Sequence, residues 1–467
     1  MTAKLIDRRF HNVAGKLRVS ELFFDVPVDY SKPAGDTLRL FARSIARKNT
    51  PIEPSEESKG GKLPWLVYLQ GGPGFGCGTP QSYPWVDFIL SKGYQVLFLD
   101  QRGTGLSSTI TAATLALQGD GGKQAEYLKN FRADNIVRDC EAIRKILTND
   151  YPEDQRKWSI LGQSFGGFCA VTYLSKFPEG LREAFLTGGL PPLTSGPDPV
   201  YKKTYGNSNI DFPFEEPHAD QRIEKVKQRN EAYYEKYPED VERVKRIMRY
   251  LKENKVKLPS GLLTPARFQQ LGILFGFHGG VDSLHDIVVR ACNDLDIFGF
   301  LTLPTLSTID GNGGMDKNII YALLHESIYC QGQSSNWSAD RLRANDCQFE
   351  INDSVPAIYF TGEMVFKDML ESYTELGEVS TAAQRLATID DWPALYDESQ
   401  LARNTVPVYA ATYMEDMYVH FDLATATASK IKNTKQFITN NIYHDGLRSK
   451  SGEIMRQLFN LREDTID

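Results

Sequence analysis

Four short apolar runs limit the possible folds of this 467-residue chain more than any other sequence feature. The runs are PWLVYLQ (64–70), GYQVLFLD (93–100), WSILGQS (158–164) and REAFLTGGL (182–190). Because most of their side chains are apolar, they are typical of strands that are buried on both faces, as in a parallel sheet covered by helices. Between the runs, residues 135–150 place apolar side chains three and four positions apart, which is the period of a helix. The pattern therefore predicts an α/β fold with a mostly parallel sheet and helices on both faces.

Three other segments have different patterns. Residues 17–47 alternate apolar and polar side chains around a turn, which predicts antiparallel strands at one edge of the sheet. Residues 48–62 are polar and rich in proline and glycine, as in a surface loop. Residues 221–256 are strongly charged and have a helical period, which predicts a helical segment with a solvated face.

The alternation of strands and helices stops after Leu190 and resumes at Pro407. A single sheet interrupted by an insertion explains this order. We therefore expect residues 1–190 and 407–467 to form one α/β domain, with residues 191–406 inserted after its sixth strand as a mainly helical cap domain.

Composition argues against several classes of function. The chain has 53 Lys and Arg against 60 Asp and Glu, so it lacks the positive charge that a dedicated nucleic-acid-binding protein needs. No stretch approaches the ~18 apolar residues of a membrane span, and the N-terminus has no apolar run of signal-peptide length. The six cysteines form no CxxC pair, so we expect free thiols and a cytoplasmic protein. Because no His and Cys cluster has metal-ligand spacing and no G-x-x-x-x-G-K motif is present, we expect neither a metal nor another cofactor.

A candidate nucleophile lies at the end of one predicted strand. The sequence GQSFG at 162–166 matches the pattern G-x-S-x-G, follows the strand WSIL and opens the helical segment GGFCAVTYLSKF. In this context the glycines permit a sharp turn that exposes the serine hydroxyl at the carboxyl edge of the sheet. The pattern alone can arise by chance in a glycine turn, but its position between a strand and a helix identifies Ser164 as the candidate nucleophile.

A serine nucleophile needs a base and an acid that orients the base, and in α/β-hydrolases the chain order is Ser, acid, His. His444 follows the last predicted strand, KQFITNN (435–441), and is the candidate base, although a histidine in such a loop can also be merely solvated. Asp416 follows the strand at 407–414 and precedes His444 by 28 residues, which leaves room for one helix and one strand. Glu415 is the nearest alternative acid, whereas Glu363, 81 residues before the histidine, would require an additional domain between acid and base.

Glycines that follow the first apolar run are candidates for an oxyanion hole, which is built from backbone N–H donors. The sequence LQGGPG occupies residues 69–74, and glycine lets the backbone approach a reacting carbonyl closely. We expect one donor to be Gly71 or Gly72 and the other to be Phe165, the residue after the nucleophile.

Three blocks of sequence together resemble the prolyl aminopeptidases (proline iminopeptidases) of the α/β-hydrolase superfamily. The blocks are GGPG at 71–74, DQRGTGLS at 100–107 and GQSFGG at 162–167. The resemblance covers residues 65–180 well and residues 407–448 more loosely, and the insertion is similar to the large cap of the longer family members. It implies an α/β-hydrolase fold and a serine exopeptidase that releases N-terminal proline from a peptide.

The resemblance also implies cap carboxylates that bind the free amino group of the substrate. Glu326 lies at the family's position for one such glutamate, and Glu363 is the second candidate. Alternatively, either glutamate forms an ordinary ion pair within the fold. Gln70 departs from the commoner family pattern, which has His before the glycines, so the contact made by this side chain is open. A compact, apolar proline ring also predicts a pocket with aromatic side chains. The aromatic candidates are Phe275, Tyr329, Trp337, Phe366 and Tyr418.

Two other functions are compatible with the same core. A carboxylesterase or small amidase would share the fold but has no use for carboxylates that bind an amine. A non-catalytic binding protein of this fold would be expected to lack a member of the triad, whereas Ser164, Asp416 and His444 are all present. The sequence leaves the oligomeric state open.

Overall fold

The apolar runs form central strands of one nine-stranded sheet in the computed structural model, which describes residues 3–48, 62–194, 196–205 and 225–464. Nine strands form this sheet, and β8 and β9 form a separate hairpin. The strands of the described residues are β1 (Lys4–Val13), β2 (Leu17–Pro27), β3 (Thr37–Arg47), β4 (Trp65–Leu69), β5 (Gln95–Asp100), β6 (Trp158–Gln163), β7 (Leu181–Thr187), β8 (Val256–Leu258), β9 (Gly261–Leu263), β10 (Val408–Tyr413) and β11 (Thr434–Thr439). The order across the sheet is β1-β2-β3-β5-β4-β6-β7-β10-β11, and the six strands from β5 to β11 in this order are parallel. The predicted mostly parallel sheet is therefore confirmed.

The N-terminal strands extend the sheet on one side as an antiparallel ribbon. β1 pairs with β2, β2 with β3, and β3 with β5. The sequence predicts β2 and β3 but not β1, because the side chains of β1 are exposed or only partly buried along its whole length and so show no alternation. Because of this additional strand, the insertion follows the seventh strand of the chain, not the sixth.

Helices cover both faces of the parallel part of the sheet. On β4, Leu66 and Tyr68 share an apolar cluster with α1 and α20, whereas Val67 and Leu69 share the cluster on the opposite face with α4 and α5. The helices are α1 (Val86–Ser91), α2 (Ala112–Ala116), α3 (Gly121–Leu128), α4 (Ala133–Leu147), α5 (Phe165–Lys176), α6 (Pro197–Tyr205), α7 (Lys225–Lys236), α8 (Asp240–Glu253), α9 (Pro265–Gln269), α10 (Gly280–Phe298), α11 (Leu303–Gly313), α12 (Ile319–Leu324), α13 (Ser338–Arg343), α14 (Met369–Ser372), α15 (Thr374–Glu378), α16 (Ser380–Thr388), α17 (Glu398–Ala402), α18 (Phe421–Lys430), α19 (Gly446–Ser449) and α20 (Ser451–Glu463).

The chain between β7 and β10 is mainly helical and contains α6 to α17 and the hairpin β8–β9. The charged segment forms two helices, α7 and α8, with Pro238 between them, because proline cannot continue the hydrogen bonding of a helix interior. Residues 221–224 of this segment, and residues 49–61 of the predicted surface loop, lie outside the described residues. None of the helices in the described part of the chain is long and apolar enough to cross a membrane. All six cysteines are free thiols, as predicted.

A buried ion pair fixes the loop after β5. The Arg102 guanidinium donates to both carboxylate oxygens of Asp139 on α4, at 2.8 and 2.7 Å, and both side chains are almost completely inaccessible to solvent. Its other N–H groups donate to the carbonyl oxygens of Pro27, Val28 and Asn130, so that all five donors are used. These bonds replace the hydrogen bonds that an exposed guanidinium makes with water. They also join the DQRGTGLS block to α4 and to the end of β2.

We expect Asp139→Asn to lower the free energy of unfolding by about 3–5 kcal/mol, because Arg102 would remain charged inside the protein without its counter-ion. Chemical unfolding followed by circular dichroism measures this change. Asp7→Asn is the control, since Asp7 pairs with Arg9 on the exposed strand β1 and an exposed pair contributes less than about 1 kcal/mol. Equal losses in the two variants would contradict the structural importance of the buried pair.

Candidate active site

The predicted catalytic residues lie in loops at one edge of the sheet. Gly71 follows β4, Ser164 follows β6, Asp416 follows β10 and His444 follows β11. These four strands and β7 are consecutive and parallel in the sheet. Because the carboxyl ends of parallel strands lie at the same edge, the fold brings the four loops together there.

Ser164 occupies a strained turn between β6 and α5. Its φ of 55° lies in a region that residues with side chains rarely adopt, at a cost of about 1–3 kcal/mol. The Ser164 N–H donates to the Thr187 carbonyl oxygen at 3.1 Å, and the Gly167 N–H donates to the Ser164 carbonyl oxygen at 2.7 Å. Position 166 must be glycine for α5 to begin this close to β4, because a Cβ there would overlap the Leu69 carbonyl oxygen. The structure is thus the strand–turn–helix geometry that the G-x-S-x-G pattern predicts.

His444 and Asp416 form a buried pair at the same edge. His444 Nδ1 lies 2.8 Å from Asp416 Oδ2, and the Asp416 side chain is completely buried. Asp416 Oδ1 accepts the N–H groups of Tyr418 and Val419 at 2.8 and 3.0 Å, which fixes the carboxylate in one orientation. Gly188, which directly follows β7, lies against both members of the pair. With Nδ1 directed at the carboxylate, Nε2 of the imidazole is the nitrogen available for proton transfer.

Carboxylates control the pKa of the His444 imidazole. Burial lowers this pKa, but the charge and the hydrogen bond of Asp416, together with the charges of nearby carboxylates, raise it by more, so that the net pKa lies above its ordinary value. The carboxylates of Glu363 and Asp445 act in the same direction. Glu363 therefore lies within electrostatic range of the imidazole, although 81 residues separate the two in the sequence. An imidazole with a raised pKa is also a stronger base.

Gln70 bonds to the glycine loop after β4. Its Oε1 accepts from the Tyr68 hydroxyl at 2.7 Å and from the Gly71 N–H at 3.1 Å. Gln101, from the DQRGTGLS block, donates through Nε2 to the Gln70 carbonyl oxygen at 3.1 Å. The side chain that departs from the commoner family pattern therefore holds the backbone of the loop, and it occupies the N–H of the first glycine.

Helix α12 and the residue after it hold Glu363 at two points. The Tyr321 hydroxyl donates to Glu363 Oε1 at 2.5 Å, and His325 Nε2 lies 3.0 Å from the Glu363 carbonyl oxygen. Tyr321 and His325 are four residues apart, so they project from the same side of the helix. Burial lowers the pKa of His325, so its imidazole is neutral near pH 7 and can donate through Nε2. Phe75 packs on the Tyr321 ring with centroids 5.0 Å apart, which brings this group against the loop that follows β4.

Glu326 has a different set of partners. Its Oε1 and Oε2 accept the N–H groups of Ala339 and Ser338, at 2.9 and 3.1 Å, at the N-terminus of α13. Burial raises the pKa of this carboxyl to about 7, although the two N–H groups oppose the shift. The glutamate at the family's position thus caps a helix of the insertion, and the capping contact accounts for one acceptor site on each oxygen.

Two of the predicted aromatic residues lie close to these groups. Tyr418 packs edge-on against the His444 ring, with centroids 4.7 Å apart. Burial raises the pKa of the Tyr329 hydroxyl, and the charges of Glu363 and Asp416 raise it further. Phe275 and Phe366 are buried in the apolar core, whereas Trp337 lines a small cavity together with Glu326 and Ser335.

Tyr321 and His325 are the site residues that sequence reasoning missed. The signal was weak, because an apolar helix such as α12 offers many positions that can face the protein interior. Their spacing of four residues, directly before the glutamate at 326, is the only local indication that both belong to one helix face.

Comparison with known proteins places the chain in a family. The sequence model of a family described as "alpha/beta hydrolase fold" matches residues 64–245. The chain is 53 % identical over 465 residues to the proline iminopeptidase aneH of Aspergillus aculeatus, with coverage of 100 % of this chain and 98 % of that protein. It is 38 % identical to a proline iminopeptidase of Aeromonas sobria, with coverage of 97 % of this chain and 99 % of that protein. Both alignments extend through the insertion, so the likeness is not confined to the core of the sheet. The chain therefore belongs to the proline iminopeptidase family, and its sheet and helices form the α/β-hydrolase fold.

Proposed function

We propose that this protein is a serine exopeptidase that releases proline from peptides with a free N-terminal proline. Membership of the proline iminopeptidase family supports this activity. The observation that carries the proposal is the Glu363 carboxylate, which bonds to the Tyr321 hydroxyl where the Tyr321 ring packs on Phe75 of the glycine loop, and whose charge acts on the His444 imidazole. Six free thiols suit a reducing compartment, and we propose that the enzyme acts in the cytoplasm.

In the proposed mechanism Ser164 is the nucleophile and His444 is the general base. His444 Nε2 takes the hydroxyl proton as Ser164 Oγ attacks the carbonyl carbon of the proline residue, and Asp416 stabilises the imidazolium that forms. The imidazolium then gives the proton to the leaving amine of the second residue, so the peptide bond breaks and a prolyl ester of Ser164 remains. Water, deprotonated by the same imidazole, attacks the ester and releases proline.

The proposed oxyanion hole consists of the N–H groups of Phe165 and Gly72. Phe165 is the first residue of α5, where N–H groups have no acceptor within the helix and the helix dipole favours negative charge. Gly71 and Gly72 are equivalent candidates on sequence alone, but the Gly71 N–H donates to Gln70 Oε1. Gly72 is therefore the better candidate for the second donor.

Glu363 is proposed to bind the protonated amino group of the N-terminal proline. The Tyr321 hydroxyl donates to one of its oxygens, which leaves the second oxygen to accept a charge-assisted hydrogen bond from the cation. This function distinguishes the protein from a carboxylesterase, whose substrates carry no such amine. Glu326 is the weaker candidate for a second amine-binding carboxylate, because each of its oxygens already accepts a backbone N–H.

Residues 191–406 are proposed to form a cap domain at the carboxyl edge of the sheet built by residues 1–190 and 407–467. Two contacts support this arrangement. The backbone N–H of His444 donates to the Gly276 carbonyl oxygen at 3.2 Å, and the Tyr321 ring packs on Phe75 of the loop after β4. The insertion thus supplies the groups that recognise the amine, and the sheet supplies those that transfer the acyl group.

Ser164→Ala should lower kcat by several orders of magnitude, and Asp416→Asn by about ten-thousand-fold, because nucleophile, base and acid act as a unit. For each variant, kcat should fall by the same factor with proline-naphthylamide as with p-nitrophenyl acetate. Steady-state kinetics measures both. Asp422→Asn is the control, since Asp422 is a largely exposed acid on the neighbouring helix. Substantial turnover by purified Ser164→Ala would remove the nucleophile assignment.

Glu363→Gln should lower kcat/KM for proline-naphthylamide by roughly 10- to 100-fold, because hydrogen bonds to charged groups contribute about 1.5–3 kcal/mol. Hydrolysis of p-nitrophenyl acetate, which has no amine, should fall far less. Glu326→Gln is the matched comparison and should affect both substrates alike, through α13. If Glu326→Gln lost activity only on the prolyl substrate, and Glu363→Gln kept its activity on that substrate, amine binding would be assigned to Glu326 instead.

The pH profile of ester hydrolysis should report the His444 imidazole. Because only the neutral imidazole accepts a proton, kcat/KM for p-nitrophenyl acetate should rise with pH, with an apparent pKa above about 6.5. In Glu363→Gln this rise should move to lower pH, because the neutral amide no longer stabilises the imidazolium. An unchanged midpoint, or a shift to higher pH, would contradict the proximity of Glu363 to His444.

A further inference from the structure

The loop that carries His444 receives limited support from the sheet. It follows β11, which is the edge strand on this side and is only partly buried or exposed at every position. The bond to Asp416 fixes one nitrogen of the imidazole, but it does not fix the backbone of the loop. Other contacts must therefore fix the backbone of this loop.

A segment of the insertion, residues 273–278, makes such contacts. The backbone N–H of His444 donates to the Gly276 carbonyl oxygen at 3.2 Å. Two residues further on, the backbone N–H of His278 donates to Asp445 Oδ1 at 3.2 Å. Nδ1 of the His278 ring lies 2.7 Å from the same oxygen. The side chains of this pair are only 22 % and 12 % exposed, so water competes weakly for their hydrogen bond.

Tyr418, which lies in the loop of the acid Asp416, contacts the same segment. Its hydroxyl donates to the Ile273 carbonyl oxygen, and its ring packs against His444. Position 276 has to be glycine for this packing, because a Cβ there would overlap the Tyr418 ring. The segment is therefore tied to the loops of both the acid and the base.

The residue before the base is also held by the insertion. The Arg229 guanidinium of α7 lies 4.1 Å from the centroid of the Tyr443 ring, and the His278 ring packs edge-on against the same ring at 4.9 Å. Ser449 Oγ, at the end of α19, lies 2.8 Å from His278 Nδ1. His278 thus contacts residues 443, 445 and 449, on either side of the proposed base.

We propose that His278 is a positioning residue that latches the insertion to the loop of His444 and keeps the imidazole in line with Ser164. This inference rests on the proposed function, since it requires His444 to be the general base. A misplacement of about 1 Å in a catalytic group can cost roughly 100-fold in rate. Because the latch does not touch the substrate, its loss should lower kcat and leave KM nearly unchanged, whether or not the substrate has an amine.

The test compares His278→Ala with His285→Ala. His285 is a matched control because its Nδ1 also lies 2.7 Å from a carboxylate, that of Asp240, with similar exposure but within the helices of the insertion. His278→Ala should lower kcat by about 10- to 100-fold for both proline-naphthylamide and p-nitrophenyl acetate, with KM within about twofold, while His285→Ala keeps wild-type kcat. Wild-type kcat in His278→Ala, or an equal loss in His285→Ala, would overturn the proposal.

Two further variants keep the test valid if His278→Ala fails to fold. Asn places its side-chain N–H near the position of His Nδ1, whereas Gln places it one bond further away, so His278→Asn should retain most of the kcat and His278→Gln should lose it. Equal kcat in these two variants would overturn the proposal. His444→Ala separates the two claims: if it stays active, the proposed function fails, whereas an inactive His444→Ala with a fully active His278→Ala refutes only the latch.

Discussion

The close approach of the nucleophile turn to the neighbouring strand is the constraint on which the rest of the candidate site depends. Ser164 leaves β6, a central strand, with a backbone conformation that costs about 1–3 kcal/mol, and α5 begins at once against β4. The glycine loop after β4 consequently lies beside the serine, with Gly71 packed against the Ser164 side chain. One tight turn thus sets the position of the hydroxyl and that of the loop proposed to bind the oxyanion.

The DQRGTGLS block supports this arrangement from the next strand. Asp100 accepts the N–H groups of Cys77 and Leu106, at 2.6 and 2.7 Å, and so ties the end of the glycine loop to its own loop. Gln101 bonds the backbone of Gln70 at the start of the glycine loop, and the next residue, Arg102, anchors the block to α4 through its buried pair. The DQRGTGLS block is therefore a scaffold for the glycine loop.

The insertion contributes to the proposed chemistry in two ways. It carries Glu363, whose negative charge suits a substrate amine and also raises the pKa of the His444 imidazole. It also contacts the loops of the acid and the base through its segment at residues 273–278. In the proposed mechanism, the Glu363 charge therefore acts both on the substrate amine and on the imidazole that transfers the proton.

Sequence alone was sufficient for the central parallel strands, because each is an apolar run with turn residues at its ends, and for locating Ser164, Asp416 and His444 directly after strands. It was insufficient for β1, whose exposed side chains have no pattern to detect. The spacing of 28 residues selected Asp416 as the acid, and the structure places that residue 2.8 Å from the histidine. These results depend on local pattern and on the rule that carboxyl ends of parallel strands share one edge.

Only the tertiary structure decided which backbone N–H groups and carboxylates already have partners within the protein and which remain available to a substrate. Gly71 and Gly72 are indistinguishable in the sequence, but the Gln70 side chain occupies the N–H of one of them. Glu326 and Glu363 are both glutamates of the insertion, yet one caps α13 and the other bonds to the Tyr321 hydroxyl and acts on the pKa of His444. The sequence by itself determined the strands, the turn and the order of the catalytic candidates, because those follow from the residues next to one another in the chain. The partners of each donor and carboxylate come from residues that only folding brings together, and the chemistry of a buried polar group depends on those partners.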